Sequence, residues 1–552
     1  MDKLRNRARR ALADVVPVWC ALTVITGLPY VIAALRTPPG FVFTGVLSAY
    51  DDTFSYIAWI KQGAQGHLLM LDAFTSEPQG RQFFLPLWAG LGLMSRLTGL
   101  PAAMVFHAGR IVAALFLLLA ARAVARTVMK SRSRIRYTLW LLAFSAGLGW
   151  LLFAARAAGQ SMSNLTTRPP GGAADLDIPE AITFRAAFAQ VHLTLGATLF
   201  YAAMAFVIVS LIQRKRVFAM LGGAMVSLLA LVHPFDVIVV GAIAAVAFVF
   251  WPWFQGRNSR TVEPANRRLL DNLRLAVWFA AACVPALAYL LFLYRSNDVG
   301  REWSHIISAL SPPPIQYLAG FGIVALLAGL GFWLLWRRRP TAGRILVVWA
   351  VIQSMLLYAP VSFQRRLVEG LQLPLSIAAS VGVFWLANRI RTAGWQRKLR
   401  RPLLLAVMAV ASITNVGFIV AETSLLIPAD PRRYVDKSLV DAFRWLSANA
   451  EPDSILFSSY KTGNMAPSLS GSRVYIGHYD LTVHCRDKQD QVEAFYTGRM
   501  SSEEAQDLLV VNHATYCLYG PFEREIAPEF SPPDCLAPVY NAGDVQLFKV
   551  MP

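Results

Sequence analysis

The sequence predicts an α-helical polytopic membrane protein with about eleven transmembrane helices, followed by a C-terminal extracytoplasmic α/β domain. Apolar residues make up 56% of the 552 residues and charged residues only 15%, whereas soluble domains carry about 25% charged residues. Apolar runs close to the ~20 residues that a membrane-spanning helix needs recur up to residue 421. The remaining residues are more polar and contain no such run.

This composition excludes a cytoplasmic enzyme, a secreted disulfide scaffold and a disordered protein. A net charge of +19 would indicate nucleic-acid binding only if the basic residues formed a patch on a soluble domain. Here Lys and Arg lie between apolar runs, so we interpret them as topology signals and expect no nucleic-acid partner. The five cysteines are too few for a disulfide framework, and at most one bridge is expected among Cys485, Cys517 and Cys535.

The N-terminal sequence MDKLRNRARR is basic and precedes an apolar run at 17–35 that has no small-residue cleavage site. This pattern is typical of an uncleaved signal anchor with a cytoplasmic N-terminus. The segment 84–99 is shorter and contains Arg96, so we predict a helix at the outer interface. Further spans are predicted at 103–126, 137–155, 191–212, 217–233, 236–254, 273–294, 318–336, 342–360, 372–388 and 403–421.

The distribution of charge gives the predicted orientation. With eleven spans, the N-terminal side holds 29 of the Lys and Arg residues before residue 422 and the opposite side holds 12, as the positive-inside rule requires. The C-terminus then lies outside. The 15 carboxylates before residue 422 divide into 4 on the inner side and 11 on the outer side. Because acidic residues scarcely influence insertion, this excess indicates an outward-facing site that uses carboxylates.

We divide the chain into a transmembrane domain at 1–421, which has a long first outer loop at 36–83, and an extracytoplasmic domain at 422–552. In the second domain, SLVDAFRWLSANA predicts an amphipathic helix. The segments SILFSS, RVYIG, TYCLYG and VQLFKV predict short strands.

The first outer loop carries two adjacent carboxylates, Asp51 and Asp52, and Tyr56 follows one helical turn after Asp52. A carboxylate in a surrounding of low polarity can act as a general base, and two carboxylates can hold a divalent cation. The alternative is a solvated pair that caps the helix DTFSYIAWIKQGA.

Polar residues at the outer ends of later spans are further candidates for the site. Glu180 and His192 precede the span at 191–212, where His192 could also be an ordinary interfacial histidine. In the motif HPFD, Pro234 and Asp236 suit a tight turn, which we favour, but His233 and Asp236 could instead face a site.

The segment around Arg365 and Arg366 predicts phosphate binding. Adjacent arginines on the outer side break the positive-inside rule, and arginine binds phosphate through a rigid fork of donors. A lipid-linked phosphate is the natural partner. The alternatives are contact with lipid headgroups and pairing of Glu369 with Arg365 or Arg366.

In the C-terminal domain, His478 and Lys488 lie in or just after a loop-rich segment. Loops on a rigid domain often carry function, so both are candidate site residues. The alternative is ordinary surface turn chemistry.

With these motifs the sequence resembles the GT-C glycosyltransferases, integral-membrane enzymes that use polyprenyl-phosphate-linked sugars. The resemblance extends over nearly the whole chain. It rests on YDDTFSYIAWIKQG at 50–63, RQFFLPLWAGLGLMSRLTGLP at 81–101, FHAGRIVAALFLL at 106–118, SFQRRLVEGLQLPLSIAA at 362–379 and GNMAPSLSGSRVYIGHYDLT at 463–482, with Lys488.

The resemblance implies that Asp51 or Asp52 is the general base on the acceptor hydroxyl, and that Arg365 and Arg366 hold the donor phosphate. It does not decide between the two carboxylates, of which we favour Asp51. It implies inverting transfer of a hexosyl or pentosyl group to a glycan, lipid or protein acceptor at the outer face of a bacterial cytoplasmic membrane. Family members also bind a divalent metal through acidic residues of this region. This chain has a contiguous acidic pair and no clear DxD, so metal dependence stays open.

The main alternative is a transporter or flippase for a polar or lipid-linked substrate. Transporters usually carry ionisable residues near the membrane midplane and often contain repeats, and this sequence shows neither feature. A ligase that uses lipid-diphosphate sugars would favour a large loop between late spans, whereas the loop at 361–371 is short. A structural membrane protein gives no reason for the outer excess of carboxylates.

Overall fold

The computed structural model describes residues 2–151, 154, 174–254, 265–296, 299, 309–338, 342–392, 400–424 and 430–551. These residues form two compact units. Unit 1 draws on the ranges 1–29, 110–290 and 308–426, and unit 2 on 30–109, 291–307 and 427–552. The first-loop segment and the C-terminal segment therefore belong to the same unit.

The described residues before 425 are mostly helical. The helices are α1 Asp2–Leu35, α2 Tyr50–Ala64, α3 Pro86–Thr98, α4 Ala102–Val128, α5 Arg132–Phe144, α6 Ala174–Asp177, α7 Thr183–Ala189, α8 Val191–Gln213, α9 Arg216–Ala230, α10 Asp236–Phe254, α11 Ala265–Ser296, α12 Pro314–Arg338, α13 Ala342–Leu356, α14 Gln372–Thr392 and α15 Arg400–Ser424. Short 3₁₀ helices lie at Pro179–Ala181 and Gln364–Val368.

Eight helical segments in the described part of the chain are long and apolar enough to cross a membrane, and each coincides with a predicted span. The chain is therefore a polytopic helical membrane protein. The spans predicted at 217–233 and 342–360 correspond to α9 and α13, of 15 residues each. Such helices are only about 22 Å long, less than a hydrocarbon core of about 30 Å. Of the span predicted at 137–155, α5 covers only the part up to Phe144, and 152–153 and 155 lie outside the described residues.

Burial distinguishes central from peripheral helices in unit 1. The most apolar stretches of α8 and of the segment containing α14 are 72% and 78% buried, compared with 28% for α1 and α15. A helix that is apolar on every face is expected at such a central position. At the periphery, the buried Asp14 of α1 bonds to Arg122, Arg132 and Arg136 at 2.9, 2.5 and 2.8 Å. This cluster joins α1 to α4 and α5.

The C-terminal part of unit 2 is an α/β fold, as predicted. Its five-stranded sheet has the order β6-β5-β7-β9-β8, in which β5 is parallel to β6 and β7, and β9 is antiparallel to β7 and β8. The strands are β5 Ile455–Phe457, β6 Arg473–Val474, β7 Ala514–Tyr519, β8 Leu536–Ala542 and β9 Val545–Val550, and the helices are α16 Lys437–Asn449, α17 Tyr460–Leu469, α18 Cys485–Tyr496, α19 Ser502–Val511 and α20 Pro521–Arg524.

Two smaller pairings complete unit 2. Strand β1, Phe41–Phe43, pairs antiparallel with β4, Tyr434–Asp436, and β2, Leu69–Met70, pairs with β3, Phe83–Phe84. The pairing of β1 with β4 holds the first-loop segment against the segment that precedes α16. Helix α3 confirms the short helix predicted at 84–99, whose interfacial position stays a prediction.

All five cysteines are free thiols, so the single bridge that the sequence allowed does not form. Cys485, Cys517 and Cys535 are buried among the apolar residues of the sheet. Burial raises the pKa of the Cys485 thiol to about 11, which favours an inert packing role.

Candidate functional site

Asp51 and Asp52 lie in the first turn of α2. The helix begins at Tyr50, and Ala49 precedes it with φ 48° and no capping side chain. Neither carboxylate is therefore the N-cap, and the helix-capping alternative is wrong. Their position beside the free N–H groups of the first turn still favours negative charge.

Asp51 belongs to a fixed network around Arg432. One guanidinium nitrogen of Arg432 donates to both Asp51 and Asn464, and the other two bond to Asp430 at 2.9 and 2.8 Å. Burial lowers the pKa of Arg432, but the two carboxylates outweigh burial and raise it above its ordinary value. Arg432 is 11% exposed and Asp51 40% exposed. A largely enclosed cation thus orients a carboxylate that solvent can still reach.

Asp52 has a different partner, His478. The Nε2 atom of His478 lies 3.4 Å from Asp52 Oδ1. The Nδ1 atom accepts the backbone N–H groups of Asp480 and Leu481 at 3.1 and 3.2 Å. Because Nδ1 is an acceptor, the imidazole proton is on Nε2 and points to Asp52. His478 is buried, and it fixes one side of the Asp52 carboxylate.

Tyr56 packs within an aromatic cluster of unit 2. Its ring stacks on Trp88 with centroids 4.6 Å apart and an interplanar angle of 7°, and Phe106 and Trp59 lie beside this pair. Its contacts join α2 to α3 and α4. The described contacts of Tyr56 are therefore packing contacts.

Lys488 anchors the first-loop segment instead of facing open solvent. Its Nζ atom bonds to Glu77 at 2.6 Å, to Ser76 at 3.1 Å and to Thr75 at 3.3 Å. Burial lowers the pKa of Lys488, and Glu77 partly offsets this effect. All four residues lie in unit 2. The described contacts support a structural role for Lys488, and its place in the functional site stays a prediction.

In unit 1, Arg365 and Arg366 lie on the 3₁₀ helix Gln364–Val368. The backbone N–H of Arg365 donates to Ala309 at 2.8 Å, and the guanidinium of Arg366 lies 5.0 Å from the ring centroid of Phe235. The Nε atom of each arginine is buried and has no hydrogen-bond partner among the described residues. Two neighbouring guanidinium donors are therefore available to an anion.

Glu369 contacts a histidine, and it does not pair with the arginines as the sequence alternative proposed. Its Oε2 atom lies 3.1 Å from His233 Nδ1, which in turn lies 3.0 Å from Asp236 Oδ2. Within the described part of the chain, no ion pair joins Glu369 to Arg365 or Arg366. The motif HPFD thus both turns the chain and supplies two side chains to a buried cluster.

Glu180 and His192 lie close to this cluster. The imidazole centroids of His192 and His233 are 6.3 Å apart. Glu180, Glu369 and Tyr201 line a small cavity of about 10 Å³. The four unit 1 candidates Glu180, His192, His233 and Glu369 therefore come together in the fold.

Asp236, which the motif HPFD offered together with His233 as the alternative to a turn, completes the cluster with His233 and Glu369. Two further residues that the structure brings to these networks were not predicted. Arg432 orients Asp51, and the arginine pair in DPRRY was the available signal. Gln353 donates to the backbone carbonyls of Glu369 and of Leu367. Its signal in the sequence was its position as a glutamine inside an apolar run.

Metal dependence was left open by the sequence, and within the described residues no set of three possible metal ligands lies near the first loop. Ligand atoms of three His, Cys, Asp or Glu residues come within 4.8 Å of one another at His233, Asp236 and Glu369, and at no second place in the part of the chain that the structure describes. Asp51 and Asp52 are instead bonded to Arg432 and paired with His478.

No protein-family model and no curated protein matches the chain, but solved structures do. ArnT from Cupriavidus metallidurans bound to undecaprenyl phosphate aligns over 97% of this chain and 97% of its own, with TM-score 0.57 and 13% identity. The oligosaccharyltransferase AglB from Archaeoglobus fulgidus, in complex with an inhibitory peptide and a dolichol-phosphate, aligns over 92% of this chain and 70% of its own, with TM-score 0.52 and 13% identity. Its complex with Zn and sulfate aligns over 90% and 67%, with TM-score 0.53 and 12% identity.

Proposed function

From the GT-C fold that this chain shares with ArnT and AglB, we propose that the protein is a membrane glycosyltransferase. It transfers a sugar from a polyprenyl-phosphate-linked donor to an acceptor hydroxyl. The observation that carries the proposal is the alignment over at least nine-tenths of the chain with proteins solved with undecaprenyl phosphate and with dolichol-phosphate.

We assign the donor phosphate to Arg365 and Arg366. Their buried Nε–H groups lack partners among the described residues, and a phosphate oxygen is the acceptor that best matches a guanidinium fork. The stacking of Arg366 against Phe235 holds its guanidinium plane and reduces the entropy lost on binding. The polyprenyl tail would stay in lipid.

We assign the acceptor hydroxyl to Asp51. Arg432 fixes the orientation of this carboxylate, which is still 40% exposed, and a fixed carboxylate holds a hydroxyl in one attack direction. Asp51 needs to take the proton only as the new bond forms, when the hydroxyl becomes acidic. A guanidinium partner is compatible with such a late proton transfer.

The reaction is a single displacement at the anomeric carbon. The acceptor oxygen forms a bond to that carbon while the bond from the carbon to the phosphate oxygen breaks, and the outcome is inversion. The hydroxyl proton goes to Asp51, and the electron pair leaves with the polyprenyl phosphate. Arg365 and Arg366 stabilise the negative charge that develops on this leaving group.

The acceptor class is a hydroxyl of a glycan, lipid or protein. The charge distribution of the sequence supports an outward site, with the N-terminus inside and the C-terminal domain outside. We assign the site to a bacterial cytoplasmic membrane, as the family resemblance implies. Glu180 and His192 are then site-lining residues rather than reactants.

The test is transfer of a labelled sugar by the purified protein reconstituted in liposomes with a polyprenyl-phosphate-linked sugar and a panel of acceptors. We expect labelled product, and we expect the loss of product in the variant Arg365→Ala/Arg366→Ala. The matched control is Arg274→Ala, which removes an arginine that is 79% exposed and should leave transfer intact. Translocation of the labelled lipid without product would contradict the proposal and support the flippase alternative.

A further inference from the structure

The cluster of His233, Asp236 and Glu369 has the spacing of a metal site. The two carboxylate oxygens lie 3.0 and 3.1 Å from His233 Nδ1. In a tetrahedral site with bonds of about 2.0–2.2 Å, neighbouring ligand atoms are separated by about 3.3–3.6 Å. The two distances to His233 Nδ1 differ from this spacing by only a few tenths of an ångström, and all three ligand atoms lie within 4.8 Å of one another.

The negative charge of the two carboxylates in this cluster also favours binding of a cation. The side chains of His233, Asp236 and Glu369 are 3%, 0% and 2% exposed. Two ionised carboxylates at this depth would carry a charge of −2, and no Lys or Arg among the described residues pairs with either. An uncompensated buried charge is costly. One divalent cation with a neutral imidazole makes the cluster neutral.

Unpartnered atoms are an independent indication of a ligand. Both oxygens of Glu369 and the Oδ1 atom of Asp236 are buried and form no hydrogen bond of good geometry with the described residues, although His233 Nδ1 lies 3.1 Å from Glu369 Oε2. In native structures, most buried side-chain polar atoms have a protein or water partner. Carboxylate oxygens without a donor are the atoms that a cation would bind.

Hydrogen bonds from neighbouring side chains fix the backbone segment that carries Glu369. The side chain of Gln353 donates to the carbonyls of Glu369 and Leu367 at 2.6 and 2.8 Å, and Trp349 donates to Gln353 at 2.7 Å. Partners of this kind, which fix the segment that carries a ligand, are typical of metal sites.

Space for the carboxylate comes from Gly196 on α8. A Cβ atom at this position would lie 2.6 Å from Glu369 Oε1 and 3.3 Å from His233 Cβ. Glycine is therefore required for the observed position of the carboxylate. The cavity of about 10 Å³ on the Glu369 side has room for about one water molecule, which could serve as a fourth ligand.

From this geometry we propose that His233, Asp236 and Glu369 bind one divalent transition-metal ion within unit 1, with zinc as the best match. One imidazole nitrogen and two carboxylate oxygens suit zinc. Calcium prefers six to eight oxygen ligands, and magnesium prefers an octahedral oxygen shell. The inference goes beyond sugar transfer, since none of these three residues takes part in the proposed reaction.

The ion would also position the proposed phosphate site, and this role rests on the proposed function. Phe235, which stacks on Arg366, lies between the ligands His233 and Asp236. Glu369 follows Arg366 by three residues. An ion that joins these ligands therefore fixes both the aromatic platform and the segment that carries the guanidinium.

The primary experiment measures metal content without any sugar substrate. The untagged protein in detergent is stripped with a chelator, exchanged into buffer with micromolar zinc, and analysed by elemental mass spectrometry. We expect one zinc per chain in the wild type and at least a tenfold weaker affinity in Glu369→Gln and His233→Asn. Asp271→Asn, a carboxylate variant elsewhere in unit 1, is the matched control and should keep the ion.

A second measurement begins with the wild-type chain, so no substitution can disturb its folding. Cobalt added to the stripped wild type should give the visible absorption of a tetrahedral nitrogen and oxygen site, and zinc should displace it. Gly196→Ala should weaken binding, since its methyl group takes the place of the carboxylate. A wild type that binds no zinc, or zinc retained in the ligand variants, would overturn the proposal. Failure here leaves the transfer assay unaffected, so the two proposals fail separately.

Discussion

Substitution of Asp51 by Asn separates the proposed chemical role of this carboxylate from its structural role. Asn keeps the size and an acceptor oxygen for Arg432, and the bonds from Arg432 to Asp430 and Asn464 remain. The ion pair that is lost is 40% exposed on the Asp51 side and 11% on the Arg432 side. Because Asn keeps a hydrogen bond and Asp430 still neutralises Arg432, the structural loss should stay near the value of an exposed pair, about 1 kcal/mol. A general base contributes about 10²–10⁴-fold, which corresponds to about 3–5 kcal/mol. The catalytic loss should therefore exceed the structural loss several-fold.

The assay compares kcat for sugar transfer and the thermal unfolding temperature of Asp51→Asn, Asp52→Asn and the wild type. We expect Asp51→Asn to lower kcat at least a hundredfold while the unfolding temperature changes by only a few degrees. Asp52→Asn should lose less activity, since Asn can still accept the Nε2–H of His478. If both variants stay within tenfold of the wild type, neither carboxylate is the base. If only Asp52→Asn is inactive, the assignment to Asp51 is wrong.

Three further predictions concern other parts of the chain. Arg366→Ala should raise the KM for the donor roughly ten- to hundredfold, because a charge-assisted bond to phosphate is worth ~1.5–3 kcal/mol. Arg366→Lys should recover donor affinity only in part. An effect confined to the acceptor KM would contradict the assignment of Arg366 to the donor phosphate. Lys488→Met should lower the unfolding temperature. The double variant Lys488→Met/Glu77→Gln should lower it by less than the sum of the two single losses, because the second change removes the carboxylate left unpaired. Strictly additive losses would argue against a stabilising pair of Lys488 and Glu77. Reporter fusions should place residue 130 in the cytoplasm and residue 430 outside, and a cytoplasmic signal at 430 would refute the orientation.

The sequence predicted the long helices and four of the five strands of the C-terminal sheet because their signals are local, whereas the short strands β1 to β4 were not predicted. Apolar runs gave the long helices, and β-branched and aromatic runs gave β5, β6, β7 and β9. Strand β8 was missed because Pro538 and its exposed neighbours resemble a loop. In the structure β8 is the edge strand, and its register shifts between Pro538 and Tyr540, where a proline is tolerated.

The partners of the site residues were harder to predict than the residues themselves. Proximity in sequence suggested that Glu369 pairs with Arg365 or Arg366. The 3₁₀ helix ends at Val368, Glu369 has φ −54° and ψ 133°, and Gly370 has φ +90°. The chain thus changes direction at Glu369, and its carboxylate meets a histidine more than a hundred residues earlier in the sequence. Such a contact depends on helix packing, which single-sequence patterns do not contain.

Isolated polar residues within apolar runs were the strongest unused signal for the unit 1 cluster. Where lipid or apolar side chains surround a helix, an amide cannot obtain hydrogen bonds from water, so it must bond to the protein. The backbone of a regular helix is already paired, and the available carbonyls belong to segments that leave the helical conformation. Gln353 follows this rule, since it bonds to two carbonyls of the irregular segment that carries Glu369. A glutamine in a predicted span therefore indicates a neighbouring break in regular structure, and such breaks are where a membrane protein can present charged side chains to a ligand.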